Sequence, residues 1–163
     1  AGLVPVVAAD GLARYYVRVL DEHQLLSRHM PVQCPVEELH SCWPPAHFDV
    51  VHMRNSLDHA FDPLLGIEQL LHVVRPGGWV LLRHARNEGV AGSFRNGLHQ
   101  WAFDVEAPAG SRKGNFIIWN PELRLDVTSQ LLGTGLAAEV NTELRDHPNG
   151  PEAPEDERYV WVD

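Results

Sequence analysis

The sequence predicts an α/β domain: an open, mostly parallel sheet with helices on both faces and an antiparallel C-terminal hairpin. Three observations predict it. Short apolar runs alternate with amphipathic helical stretches through residue 83, and that alternation implies parallel strands joined by right-handed crossovers. A Pro-Gly-Gly break at 76–78 divides a helix from the strand that follows it. The last third of the chain changes to paired strand-like segments separated by polar turns.

The elements follow in order. Residues 4–9 (Val-Pro-Val-Val-Ala-Ala) form a short apolar run closed by Asp10-Gly11, the pattern of a strand buried on both faces. Leu12, Tyr15, Tyr16, Val19 and Leu20 recur at helical spacing, predicting a helix with one buried stripe. Residues 31–36 give a second apolar run, and residues 48–53 (Phe-Asp-Val-Val-His-Met) a third. Asp62 as N-cap and Pro63 at the first helical position open the next helix. Leu64, Leu65, Ile67, Leu70, Leu71, Val73 and Val74 give it a broad apolar face. Arg75-Pro76-Gly77-Gly78 ends it, because proline cannot continue a helix and glycine permits the reversal. Residues 79–83 form the fourth strand.

Residues 89–127 read as a cap or hairpin excursion, with strand-like segments at 115–120 and 123–127 around Pro121. A short helix at 128–132 follows. Segments 136–144 and 158–162 predict the final antiparallel pair. Between them, 146–157 is rich in proline and acid, the composition of a mobile loop. Leu64, Leu70, Val74 and Phe116 are expected core. No repeat and no boundary divides residues 1–163, which read as a single domain.

Composition narrows the function. Thirteen Lys+Arg against 22 Asp+Glu give a net charge of −9, which argues against a nucleic-acid partner. No apolar stretch approaches the roughly 20 residues that span a bilayer, and the start lacks the pattern of a secretory signal. Cys34 and Cys42 lack CxxC spacing. They read as buried apolar fillers of a reduced, cytoplasmic protein. The ten histidines form no HxxxH or HExxH pattern, so no metal site is expected.

In an open parallel sheet, ligands bind beyond the carboxyl ends of the strands. That rule selects Asp10, then Val36 and Glu37, then residues 54–59, then residues 84–88, all expected on one rim. Asp10 fits a ligand for ribose hydroxyls, or a cap on the next helix. Glu37 fits a nucleoside contact or a solvent-facing helix start. Asp58 and His59 fit an acid-oriented base. They equally fit a turn cap beside a histidine satisfied by backbone. His99-Gln100-Trp101, with Phe94, Phe103 and Trp119, fits an aromatic lid over a small organic molecule. Trp119 and Phe116 also fit the core of an edge hairpin.

The residues just named carry a resemblance. Phe48-Asp49-Val50-Val51, Leu57-Asp58-His59, Asp62-Pro63, Leu70-Leu71 and Val74-Arg75-Pro76-Gly77-Gly78-Trp79-Val80-Leu81-Leu82 resemble the central stretch of class I S-adenosylmethionine-dependent methyltransferases. That family shows a strand with F-D, a loop with L-x-H, a helix opened near D-P, and R-V-L-K-P-G-G before the next strand. The match runs about 35 residues with unbroken spacing. It implies a Rossmann-like fold and S-adenosyl-L-methionine as cofactor. By the same resemblance Asp10 would take the place of the family's ribose-binding acid, residues 35–38, including Val36 and Glu37, would lie beside the adenine, and Arg54 and Asn55 would form the family's strand-four wall.

One part of the family pattern is absent. The first strand and its glycine-rich loop, E/D-x-G-x-G-x-G, have no counterpart. In the family order 3-2-1-4-5-7-6, that strand is the middle one. Its loss leaves two neighbours with unpaired backbone groups. An upstream segment, a partner chain, or direct closure of the flanking strands would each resolve this. The opening Ala1-Gly2-Leu3, without a start methionine, favours the upstream segment.

The first functional expectation is therefore methyl transfer to a small-molecule substrate. His59 is the first candidate base, followed by His99 and His84. The second is a non-catalytic methyltransferase-like module that recruits a complementary chain by strand addition. A nicotinamide oxidoreductase ranks last, because G-x-G-x-x-G is absent too. Nothing in residues 85–135 names the acceptor, though an aromatic cap suits a flat organic molecule.

Overall fold

The computed structural model describes residues 4–25, 29–94, 98–146 and 158–163. The described elements are β1 (Ala9–Asp10), α1 (Ala13–Glu22), β2 (Val32–Gln33), a 3-10 turn (Val36–Glu38), α2 (Leu39–Cys42), β3 (Phe48–Arg54), and a second 3-10 turn (Leu57–His59). They continue with α3 (Pro63–Val73), β4 (Val74–Ala85), α4 (Glu88–Ala91), β5 (Ala102–Glu106), β6 (Asn115–Trp119), β7 (Arg124–Asp126), α5 (Val127–Thr134), β8 (Thr142–Arg145) and β9 (Tyr159–Val162).

The fold is α/β, with parallel ladders β1–β2 and β3–β4. These two ladders belong to different sheets: β1–β2 stands alone, while β3 and β4 continue into β9 and β8. The pairs β4–β9 and β8–β9 are antiparallel, so β9 runs between β4 and β8. A third sheet, β5-β6-β7, is wholly antiparallel. The expected final antiparallel pair is present as β8 and β9, and the antiparallel part is larger than the alternation of residues 4–83 foretold. The acidic loop at 147–157 lies outside the described residues.

Local chemistry explains the central helix. The Asp62 carboxylate accepts from the Leu65 amide at 3.0 Å, and Pro63 occupies the first turn. α3 buries Pro63, Gly66, Ile67, Leu70 and Val73. Gly66 allows a close approach, since a Cβ there would lie 3.1 Å from both Leu57 and Val36. The helix passes directly into β4. Phe48 faces Val74, and the next partners are Val50 and Trp79, so the Pro-Gly-Gly segment loops out of the ladder. Gly77 takes φ +76 at that excursion, a backbone state glycine adopts without strain.

Leu57, Ile67, Val73, Leu82, Phe103, Phe116, Ile118, Val127 and Val160 form the core between α3, the four-stranded sheet and the β5-β6-β7 sheet. Phe103 and Phe116 meet at 5.8 Å between ring centroids. Asp126 caps α5, accepting from the Ser129 amide at 2.9 Å and the Ser129 hydroxyl at 2.7 Å. Partial burial raises the Asp126 pKa, but the bonds from Ser129 and Asn115 outweigh it and hold the group below its ordinary value.

The N-terminal unit departs from expectation. Only Ala13 of α1 is buried, while Tyr15 is 53% and Val19 50% exposed. Val4, Val6 and Val7, expected in a doubly buried strand, are exposed as well. The reason is topological: β1 is two residues long, pairs with β2 alone, and has no ladder to β3. The apolar spacing of α1 thus has no second layer among the described residues to bury it.

Cys34 and Cys42 form a disulfide, correcting the reading of them as free apolar fillers. Persisting disulfides belong to oxidising compartments, so the cysteines no longer argue for a reduced setting. No helix among the described residues is long and apolar enough to cross a membrane.

Replacing the α3 cap, Asp62→Ala, is expected to cost about 1 kcal/mol of stability by urea unfolding. An unchanged midpoint would show that the cap contributes nothing.

Candidate functional site

The site forms where β3 and β4 end side by side. Asn55, just past β3, takes φ 45, and Asn87, just past β4, takes φ 56. Asparagine tolerates this left-handed state better than other residues with a Cβ. Asn55 binds three strand ends together. Its amide donates to the Arg83 carbonyl at 3.1 Å, and its Oδ1 accepts from the Ala85 amide at 3.0 Å. Its Nδ2 donates to the Tyr159 hydroxyl, at the start of β9, at 3.1 Å.

The chain then turns through the Leu57–His59 3-10 segment, anchored by the fully buried Leu57. This turn captures the loop before β5. The Asp58 carbonyl accepts from the Gln100 amide at 3.0 Å, and Trp101 Nε1 donates to the Ala60 carbonyl at 2.9 Å. Trp101 thus serves as a tether, with its ring packed against the core.

Those tethers bring His99 onto Asp58. The Asp58 residue is 3% exposed, and its Oδ2 lies 2.5 Å from His99 Nδ1. The same oxygen is 3.4 Å from His59 Nε2. That second contact lacks hydrogen-bond geometry, and His59 Nε2 is a buried nitrogen with no hydrogen-bond partner. The two imidazoles meet edge to face at 4.9 Å. On its other side, His99 Nε2 is 3.9 Å from Glu88 Oε1. Beside them Arg86 grips Asp104 with two bonds, at 2.6 and 3.2 Å.

These groups line an open cavity of about 670 Å³, with Asn55, Asp58, His59, Glu88, His99 and Tyr159 in its wall. The size suits a small organic molecule. The arrangement offers an acid-oriented imidazole: Nδ1 hydrogen-bonded to a buried carboxylate leaves Nε2 as the exchangeable position.

The sequence-predicted residues divide into two groups. Asp58, His59, His99 and Asn55 come together, with the shorter carboxylate contact falling to His99 rather than to His59. Asp10, Val36, Glu37 and Arg54 do not line this cavity. The Asp10 carboxylate accepts from the Leu12 amide at 2.7 Å, a local turn bond just ahead of α1, whose N-terminus has no side-chain cap. Glu37 accepts from the Phe61 amide at 2.8 Å and so holds the entry to α3. Val36 packs toward Gly66, and Arg54 is exposed at the end of β3.

His84 leaves the rim altogether. The alternation of β4 turns it inward, 1% exposed and 4.8 Å from the Phe103 ring. Burial, with a smaller contribution from His52, lowers its pKa from 6.5 to about 3. Both its ring nitrogens lack a hydrogen-bond partner. It is a neutral core residue, not a base.

Glu88 lines the wall from the 84–88 segment that the strand-end rule selected. Tyr159 is a wall residue that sequence reasoning did not choose, because its partner Asn55 is 104 positions away.

The side chains expected to hold S-adenosylmethionine do not assemble a cofactor site among the described residues. Asn55 alone of the five reaches the cavity. Glu37 is engaged by the α3 entry, and Asp10 sits in a separate sheet.

No protein-family model matches the chain. A curated protein, methyltransferase str3 from Strobilurus tenacellus, is 28% identical over 86 residues. That match takes in 50% of this chain and 31% of the relative, so the chain spans about a third of that relative's length. Among solved structures, the [4+2]-cyclase SpnF is similar with a TM-score of 0.40 and 22% identity, over 82% of this chain and 40% of that one. An S-adenosylmethionine-dependent methyltransferase from Clostridium acetobutylicum is similar with a TM-score of 0.46 and 10% identity, over 94% and 70%. The chain is thus similar, in its central motifs and in its curated relative, to proteins named methyltransferases.

The buried His84 yields a prediction about pH. Unfolded, it takes a proton below pH 6.5; folded, it refuses one until about pH 3. The unfolded state therefore binds more protons across that window, and acid opposes folding by on the order of 1 kcal/mol per pH unit. His84→Leu is expected to flatten the fall in urea midpoint between pH 7 and about pH 4. An equal fall in both proteins would remove His84 as a source of acid sensitivity.

Proposed function

We propose that the chain belongs to a methyltransferase acting on a small organic acceptor, with the acceptor in the cavity beside His99. The observation that carries the reading is the 2.5 Å contact between His99 Nδ1 and the buried Asp58 carboxylate, in the wall of that cavity. The motif resemblance and the name of the curated relative support methyl transfer as the reaction.

S-adenosylmethionine supplies an electrophilic methyl group when bound. The residues of this chain act on the other reactant. An acceptor hydroxyl or amine gives up a proton, which passes to His99 Nε2. Asp58 holds the imidazole in the tautomer with Nδ1 protonated and compensates the positive charge that results. Base assistance of this kind contributes about 10²–10⁴-fold, and confinement of the acceptor adds the entropic advantage of placement.

A second reading is supported by the exposed N-terminal unit. The β1–β2 and β3–β4 ladders share no hydrogen-bonded neighbour, and the apolar stripe of α1 is uncovered. A strand seated between β1 and β3, from this protein's own chain or a partner, would unite the two sheets and bring Asp10 into register with Asn55. On that view the donor half of the site is complete only after strand addition.

Labelled methyl transfer to a panel of small phenols, acids and amines tests the first reading. His99→Ala is expected to lower turnover about 100-fold or more while donor affinity holds. Wild-type turnover in that variant would remove His99 from the reaction. With the donor half completed by strand addition, Asp10→Ala is expected to weaken donor binding in calorimetry, and unchanged affinity would remove the ribose assignment. Sedimentation separates the two sources of that strand: a monomer that binds the donor contradicts a partner strand, and an obligate complex supports one.

A further inference from the structure

We infer that Asp58, His59 and His99 form a binding site for a divalent transition-metal ion in the cavity wall. One carboxylate oxygen and two imidazole nitrogens lie within 4.8 Å of one another. Sequence spacing hides the set, because two members are adjacent and the third lies 41 positions on from Asp58.

Two of the three donors already stand as a metal would require, and the third needs a short withdrawal. Asp58 is buried, and its backbone carbonyl is held by the Gln100 amide, so its carboxylate is positioned in advance. His59 Nε2 is a buried nitrogen with no hydrogen-bond partner, 3.4 Å from Asp58 Oδ2. A tetrahedral ion with bonds of about 2.0–2.2 Å holds its ligand atoms about 3.3–3.6 Å apart. The His59–Asp58 spacing already meets that requirement. His99 Nδ1, at 2.5 Å, must withdraw by about 1 Å. Its side chain is 36% exposed, which leaves room for the movement.

Donor chemistry selects the ion. Two imidazoles with one carboxylate suit zinc, cobalt, nickel or ferrous iron, whereas magnesium and calcium prefer all-oxygen sets. Three protein ligands leave a coordination position open to the cavity, where a ligand with an anionic or hydroxyl oxygen can bind. Glu88, 3.9 Å from His99 Nε2, is placed to accept the remaining ring N–H and fix the ring. Binding through Nδ1 releases the proton that His99 shares with Asp58 and leaves Nε2 protonated. The loaded site therefore cannot accept a proton at Nε2. That consequence rests on the methyl-transfer reading, but the binding does not.

The test is zinc calorimetry on chelator-treated protein, with cobalt absorption as a second readout, in the absence of any methyl donor or acceptor. One tight equivalent and a cobalt ligand-field band are expected. His59→Asn and His99→Asn are each expected to weaken zinc binding about 100-fold or more, while His40→Asn, on the exposed surface, leaves it unchanged. Both site histidines are about one-third exposed, and circular dichroism checks that each variant folds. Zinc affinity unchanged in the double variant, or absence of the cobalt band, would overturn the site. Either result leaves the methyl-transfer reading standing, and loss of turnover alone leaves the metal site standing.

Discussion

The site depends on the need to compensate a buried carboxylate. Asp58 sits under a fully buried Leu57, at 3% exposure, where an uncompensated charge is costly. Its compensation comes from imidazoles, and one of them is supplied by a loop distant in sequence. The Gln100 amide and Trp101 indole hold that loop against the exit of β3. Removing the carboxylate would therefore disturb more than one side chain. It would release the contact that holds His99 at the cavity wall.

The carboxylate is positioned by the sheet ends. Parallel β3 and β4 terminate in left-handed asparagines, and Asn55 joins their ends to Tyr159 of β9. This makes the cavity a product of the four-stranded sheet and the β4–β5 connection. The β1–β2 unit contributes nothing to its wall among the described residues. One half of the molecule carries the cavity, while the other presents uncovered apolar surface on α1 and on Val4, Val6 and Val7 ahead of β1. The proposed strand addition would join these halves.

What the sequence made legible was local. Asp62-Pro63 caps and opens α3 as expected, and Phe116 lies in the core. The residues at the exit of the third strand line a cavity, as the rule for strand ends required. The illegible parts were tertiary. The partner of Asp58 depends on a loop tethered by Trp101, and no residue spacing encodes that tether. The inward turn of His84 depends on which β4 face meets Phe103. The Cys34–Cys42 bridge depends on a turn through Val36–Glu38 and α2 that brings two unremarkable cysteines together. The helical period of α1 correctly marked an apolar stripe, but periodicity does not reveal whether a second layer covers it.

The most direct measurement is nitrogen-15 NMR of the His99 imidazole in the metal-free protein. The account predicts the tautomer protonated at Nδ1, with a strongly downfield N–H resonance that disappears in Asp58→Asn. An averaged imidazole spectrum, indifferent to residue 58, would contradict the account at its foundation.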